Sequence, residues 1–509
     1  MANFILQFGM KKNKLVQGMM AALLLLSVLF VSTKTVFAAG QEDALDAAKV
    51  NITLNKRIWD EGKTPTAIQN TGETMDFGGT PLNGSEFTVY DVTAKYYELI
   101  NNSDQKTVIQ QIQKDAEPVA PTYAIKDTSI TTTGVGQAKF TNLDVKNTDG
   151  KYKVYLFVET KTPNDITVTK RAVPLVVAMP IYKSGASSNV VNTDIQLYPK
   201  NETSKDVKAL TNINNFTKVT VGDQEFRNVT TGDTLNYALT VNIPANIGDA
   251  NAVTSFKIND KPSAGLALVA GTVKVGSLTA DTDYKINYAN GGFTIDFTLT
   301  SAAVKALAGQ KLQVTYDMKL TADVNPDQLQ TNNASVVING GPEQEITPPT
   351  PVGTGGYKFV KKDAQTGKVL KGAEFIVTNK AGDQFATFTK NLNGDYVFVA
   401  WTDDKKEAAT KVVSGDNGSI NVIGLTNGTY VLNETKAPSA DYVLLKDGTI
   451  TFDVLHGTYG TSTLEVKNTP KGLLPSTGGS GIYAFLIIGA AMMLGAYVWF
   501  KKSRTTAEV

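Results

Sequence analysis

The feature that most constrains this chain is the period-two alternation of Val, Ile, Thr and Tyr with polar residues. It occurs in short runs separated by Gly, Asn and Asp. Val50-Asn51-Ile52-Thr53-Leu54, Phe293-Thr294-Ile295-Asp296-Phe297 and Thr463-Leu464-Glu465-Val466 are examples. Successive side chains of a strand point to opposite faces, so such runs predict half-buried strands. Frequent turn signals between them predict antiparallel β-sandwiches. The expected fold is all-β, as tandem immunoglobulin-like sandwiches in an elongated array. Only Thr93–Gln113 reads as a helix inserted in the first block. The chain has 509 residues, enough for several domains with their own cores. The clearest boundary is Thr347-Pro348-Pro349-Thr350-Pro351 with the Gly-rich Gly353–Gly356 behind it, read as an extended linker. A second boundary follows Tyr198-Pro199-Lys200-Asn201. These boundaries predict domains at 39–201, 202–345 and 346–470.

Composition removes most catalytic readings. Lys+Arg 49 against Asp+Glu 48 leaves a charge of +1, which argues against a nucleic-acid partner or a polybasic membrane surface. With no Cys and a single His, thiol catalysis, Cys-based zinc sites and His-based triads are excluded. His456 reads as a turn residue, and Asp403-Asp404 and Asp281…Asp283 as solvated loops, with a loop calcium the one metal left open. Neither a cofactor nor a metal centre is expected.

Both ends carry addresses. Lys11, Lys12 and Lys14 precede an apolar run from Leu15 to Val31, and Val36-Phe37-Ala38 supplies a small-residue cleavage site. This order predicts a secretory signal helix over 1–38. At the other end Leu474-Pro475-Ser476-Thr477-Gly478 precedes the apolar stretch Ile482–Phe500 and the basic Lys501-Lys502-Ser503-Arg504. That stretch is about long enough to cross a bilayer as a helix, with the basic tail cytoplasmic. Residues 471–509 resemble the cell-wall sorting signal of Gram-positive surface proteins. The resemblance implies cleavage by a sortase between Thr477 and Gly478 and transfer of the Thr477 acyl group to an amine, so the chain holds the membrane only as a precursor.

A recurring constellation lies inside the blocks. Tyr357, Phe359 and Lys361 share one strand face, as do Tyr430, Leu432 and Glu434, and Leu464, Val466 and Asn468. In the first block Val50, Ile52 and Leu54 lead to Lys56, Tyr155 and Phe157 to Glu159, and Ile195 and Leu197 to Asn201. The middle block offers Phe216 with Lys218, Phe256 and Ile258 with Asp260, and Asn332 with Ala334 and Val336. Parity favours Asn332 over Asn333, and an acid other than Asp260 stays open. Buried charges are costly unless paired. A lysine desolvated among apolar groups becomes an amine nucleophile, and a desolvated carboxyl can polarise an Asn carbonyl and carry protons. The chemistry expected is a self-formed Lys–Asn isopeptide bond in each block, tying its first strand to its last.

Tyr430-Val431-Leu432-Asn433-Glu434-Thr435-Lys436-Ala437-Pro438, with Tyr442, resembles the E-box of Gram-positive pilins. Lys361-Lys362-Asp363…Gly372-Ala373-Glu374-Phe375 resembles the opening of their collagen-adhesin B-type domain. Tyr155–Thr160 is a shorter E-box-like match, and the second block resembles the fimbrial middle domain with Asp260 in the acid role. Tyr198-Pro199-Lys200 resembles the pilin motif, and parity turns Gln196, Tyr198 and Lys200 outward beside an inward Asn201. The resemblance implies a major pilin joined head to tail with copies of itself, Thr477 to Lys200, by a pilin-specific sortase. It further implies anchoring to peptidoglycan by a housekeeping sortase, accessory pilins and a place on the cell surface. A wall-anchored adhesin or minor pilin that does not polymerise is the alternative.

Overall fold

The computed structural model describes residues 47–66, 68, 70–185, 190–404, 410–461, 463–472 and 481–505. The signal-peptide reading over 1–38 and the motif Leu474–Gly478 lie outside the described residues.

The first unit stacks a sheet containing Lys49–Asn55 against one containing Val154–Lys161. Val50, Ile52, Leu54, Phe140, Phe157, Ile195 and Leu197 fill the space between. Val154–Val158 is an unbroken apolar run, and the strand is buried on both faces. Its outer face is covered by two helices, Thr93–Ile100 and Gln105–Asp115, through Tyr96, Val108, Ile109 and Ile112. The expected single helix is therefore divided. Asn101-Asn102-Ser103 turns the chain, and the Asp104 side chain caps the second helix by accepting from Thr107 N at 3.1 Å. Short polar side chains compete for backbone groups in this way and so end one helix and start the next.

First and last strands of this unit run parallel and side by side. Lys49–Asn55 pairs with Asp194–Leu197, and then Arg57–Asp60 pairs with Lys200–Thr203 in a different sheet. Both chains change sheets at the same level, Lys56 on one and Tyr198-Pro199 on the other.

The middle unit packs the sheet carrying Val207–Leu210, Leu235–Asn242 and Lys311–Leu320 against that carrying Phe256–Pro262 and Asn332–Ile338. In the third unit the described strands form one continuous eight-stranded hydrogen-bonded path, with Val412–Val413 paired to Glu374–Asn379 beside it. Phe359, Phe375, Phe388, Ile420, Leu432, Phe452 and Val466, from strands all along that path, share one core, so the path wraps round it. Its first and last strands, Gly355–Asp363 and Thr463–Asn468, are again parallel neighbours, with Lys361 opposite Val466 and Asp363 opposite Asn468.

The Gly-rich stretch before the third unit is no loose spacer. Val352–Gly353 pairs with Gln224–Asn228, and Gly355 already opens the next strand. A Cβ on Gly353 would lie 2.7 Å from Phe226, and one on Gly355 2.4 Å from Val454; close packing, not flexibility, calls for glycine there. His456 is a turn residue as expected, and it is buried: its ring lies 4.8 Å from Phe226 and Nδ1 2.9 Å from Thr354 O. Gly481–Thr505 forms one helix, long and apolar enough to cross a membrane.

Candidate functional site

Each unit buries one lysine beside a carboxyl and an asparagine. Lys56, at the change of sheets, is 0% exposed, with Glu159 at 3% and Asn201 at 1%. Its Nζ lies 3.1 Å from Glu159 Oε2 and 2.5 Å from Asn201 Oδ1, while Asn201 Nδ2 donates to Glu159 Oε1 at 2.9 Å. Ala172 N also donates to Glu159 Oε2. Burial lowers the Lys56 amine to about 8, against the raising effect of Glu159. The lysine is thus far closer to a free amine at neutral pH than a solvated one.

Lys361, Glu434 and Asn468 repeat the wiring in the third unit. Lys361 Nζ is 3.3 Å from Glu434 Oε1, and Asn468 Nδ2 donates to Glu434 Oε2 at 2.9 Å. Burial lowers the Lys361 amine below its ordinary value. In both clusters one carboxyl oxygen faces the amine and the other faces the amide nitrogen. The expectation had the carboxyl on the Asn carbonyl; the geometry puts it on the nitrogen that would leave.

The middle unit corrects the expected lysine. Lys218 lies on the exposed hairpin strand Thr217–Val221, with its side chain 54% exposed and paired to Glu225 at 2.6 Å. Phe216, taken as its inward neighbour, sits just before that strand, so it sets no face for it. Lys208, on Val207–Leu210, is the buried amine: Nζ is 2.5 Å from Asp260 Oδ2 and 3.1 Å from Asn333 O. Tyr316 OH donates to the same Asp260 oxygen at 2.5 Å and accepts from Asn332 Nδ2 at 3.2 Å. Asn332 is buried and Asn333 exposed, as parity favours. Burial lowers Lys208 to about 8, pushes Asp260 above the usual carboxylate range and raises Tyr316 well above its ordinary value. The missed signal was Val207-Lys208-Ala209-Leu210, a four-residue strand in which Lys208 shares a face with the buried Leu210.

The three amines also share aromatic surroundings. Lys56 lies 5.3 Å from the Phe87 centroid, Lys208 5.5 Å from Tyr237 and Lys361 5.6 Å from Phe375. Among the described residues, seven buried side-chain polar atoms lack a hydrogen-bond partner; Asp260 Oδ1, Asn332 Oδ1, Glu434 Oε1 and Asn468 Oδ1 are four of them. Buried polar atoms without a partner are uncommon in folded chains, and these four fall in the middle and third clusters. No group of three or more His, Asp or Glu that could hold a metal occurs among the described residues. Asp283 is buried, accepting from Thr279 N at 2.8 Å and Ser301 Oγ at 2.5 Å, so it is a loop brace rather than a solvated charge.

Lys200 departs from the outward-facing expectation. The segment after Asp60 folds back over its strand, so Tyr198 is 6% exposed and Lys200 only half-exposed. Met75 N donates to Tyr198 OH at 2.8 Å, and Lys200 Nζ lies 3.4 Å from Pro65 O.

Residues 47–202 match the Gram-positive pilin subunit D1, N-terminal domain; 355–470 match the prealbumin-like fold domain; 466–507 match the LPXTG cell wall anchor motif. The chain is 26% identical to fimbrial subunit type 2 of Actinomyces naeslundii, over 90% of each chain. It is 32% identical to the trypsin-resistant surface T6 protein of Streptococcus pyogenes serotype M6, over 29% of this chain and 27% of that one. In fold it is similar to the full-length RrgB pilus protein of Streptococcus pneumoniae, at 17% identity and a TM-score of 0.51, over 85% of this chain and 99% of that one. The chain therefore carries a Gram-positive pilin N-terminal domain, a prealbumin-like domain and an LPXTG anchor motif, which mark it as a cell-wall-anchored structural subunit of a surface pilus.

Proposed function

We propose that each of the three clusters closes a Lys–Asn isopeptide bond unaided: Lys56 with Asn201, Lys208 with Asn332 and Lys361 with Asn468. The observation that carries this is the shared wiring around Glu159 and Glu434. The free amine attacks the Asn side-chain carbonyl carbon. The carboxyl takes a proton from the amine on one oxygen and supplies one to the amide nitrogen from the other, so ammonia leaves. Asp260, with Tyr316 donating to it, fills this role in the middle unit.

We further propose that a pilin-specific sortase transfers the Thr477 acyl group of one subunit to Lys200 of the next. One donor and one acceptor per subunit make a heterologous contact that does not close, and hence a fibre. A housekeeping sortase then joins the fibre to peptidoglycan, and accessory pilins decorate it. The domain limits 39–201, 202–345 and 346–470 are proposed on the same footing.

The test of the bonds is the intact mass of denatured protein, expected to fall short of the calculated value by about 17 Da per bond, one ammonia each. An unshifted mass would sink the bond reading for all three units. The rate should also depend on pH. Below about 8 the Lys56 and Lys208 amines are protonated and cannot attack; above it they are free. In freshly synthesised chain, the mass loss at these two sites should accelerate as pH rises through about 8 and then level off. A rate that falls over that interval would remove the free-amine step.

A further inference from the structure

Lys200 does not stand free at its strand end. Its amine lies 4.5 Å over the ring of Phe77. Phe77 stacks on Tyr198, with centroids 5.2 Å and planes 26° apart, and meets the edge of Trp59 at 6.0 Å. The hydrogen bond from Met75 N to Tyr198 OH pins the segment carrying Phe77 to the strand carrying Lys200. Gly79, at φ +70°, turns that segment so tightly against Trp59 that a Cβ there would lie 2.5 Å from the indole. The result is a built aromatic stack, Trp59–Phe77–Tyr198, with the lysine amine on its face.

We propose that Phe77 is a positioning residue for subunit joining, holding the Lys200 amine at one place and shielding it from water. This rests on the reading of Lys200 as the acceptor. In that reaction the Lys200 nitrogen forms a bond to the Thr477 carbonyl carbon as the bond from that carbon to the sortase breaks. The amine gives up its proton to the departing enzyme group. A flexible lysine has several rotatable bonds to freeze, so a surface that holds Nζ beforehand lowers the entropic part of the barrier. The ring acts in two opposed ways: its π face favours the cation, and its bulk excludes the water that would solvate it. Burial lowers the Lys200 amine below its ordinary value. Arg57, opposite Lys200 in register, and Glu202, two residues on and bonded to Thr64 at 2.8 Å, are the charged groups flanking it along the strands.

The experiment uses the full chain purified in detergent, a pilin sortase and a labelled Leu-Pro-Ser-Thr-Gly peptide as donor. Initial labelling rates are followed against pH for wild type, Phe77→Ala, Phe77→Leu, Phe77→Tyr and Lys200→Ala. Phe77→Ala should lower the rate about tenfold near neutral pH and move the rate–pH curve to higher pH. Phe77→Tyr, which keeps the ring, should restore both. Phe77→Leu, which keeps the bulk but loses the π face, guards against simple unfolding and should move the curve to lower pH, opposite to Phe77→Ala. Wild-type rates and an unmoved curve in both Phe77→Ala and Phe77→Leu, with Lys200→Ala inactive, would overturn the role of Phe77 and leave the acceptor standing. Undiminished labelling of Lys200→Ala would overturn the acceptor itself, and the Phe77 proposal with it.

Discussion

Lys200→Ala should collapse the high-mass ladder of cell-wall extracts to monomer on a denaturing gel. The expectation is all-or-none because, in the proposed joining of Thr477 to Lys200, each subunit offers one acyl donor and one acceptor, and removing either ends growth at a single subunit. The variant should keep its fold. Lys200 is half-exposed, and its side chain contacts Pro65 O at 3.4 Å and the face of Phe77 at 4.5 Å, contacts whose loss at a partly exposed site costs about 1 kcal/mol. Its buried neighbour Asn201 should still react with Lys56, so the mutant monomer should show the same mass deficit as wild type. A ladder that survives the mutation would move the acceptor to another lysine. Monomer in both wild type and mutant would favour the non-polymerising, wall-anchored adhesin.

Lys208→Met should remove one mass deficit of about 17 Da and destabilise the middle unit, while Lys218→Met should do neither. By the chain-entropy model for cross-links, closing a loop of ~100 residues is worth about 4–5 kcal/mol. For a unit of this size that corresponds to a fall of roughly 10–20 °C in its transition by calorimetry. Methionine nearly matches lysine in length and leaves no buried cation behind. Asp260 can stay protonated, since burial already pushes its carboxyl up and Tyr316 still donates to it. Lys218, by contrast, is a surface residue paired with Glu225 at 2.6 Å, and exposed pairs contribute about 0–1 kcal/mol. If Lys218→Met lost the mass deficit and Lys208→Met kept it, the assignment made from burial would be wrong.

These bonds would also decide where tension runs. In the first and third units the opening and closing strands are parallel neighbours. A cross-link from Lys56 to Asn201, which are 145 residues apart, carries a pull directly across the pair. The intervening sandwich is then bypassed rather than unzipped.

Much of this molecule is written in local pattern. Period two placed Lys56, Glu159 and Asn201 on inward faces, and likewise Lys361, Glu434 and Asn468, because the pleat itself alternates sides. A charged or amide residue at the inward end of an apolar ladder was therefore legible before any partner was known. The sorting motif and apolar stretch were legible for a similar reason, since signal and span are read along the chain.

What sequence alone left undecided was pairing across the chain. Val207–Leu210 is too short for its period to stand out, and only its pairing with Leu235–Asn242 buries Lys208. The exposed Thr217–Val221 strand is the richer of the two in β-branched residues, so local composition points to Lys218 rather than Lys208. Tyr198 alternates outward by parity, yet a segment more than 100 residues earlier covers it, with Met75, 123 residues before it, bonded to its hydroxyl. That same packing sets Phe77 over Lys200. Strand period determines which side a residue faces; only the folded chain decides whether that side meets water, a core or another segment.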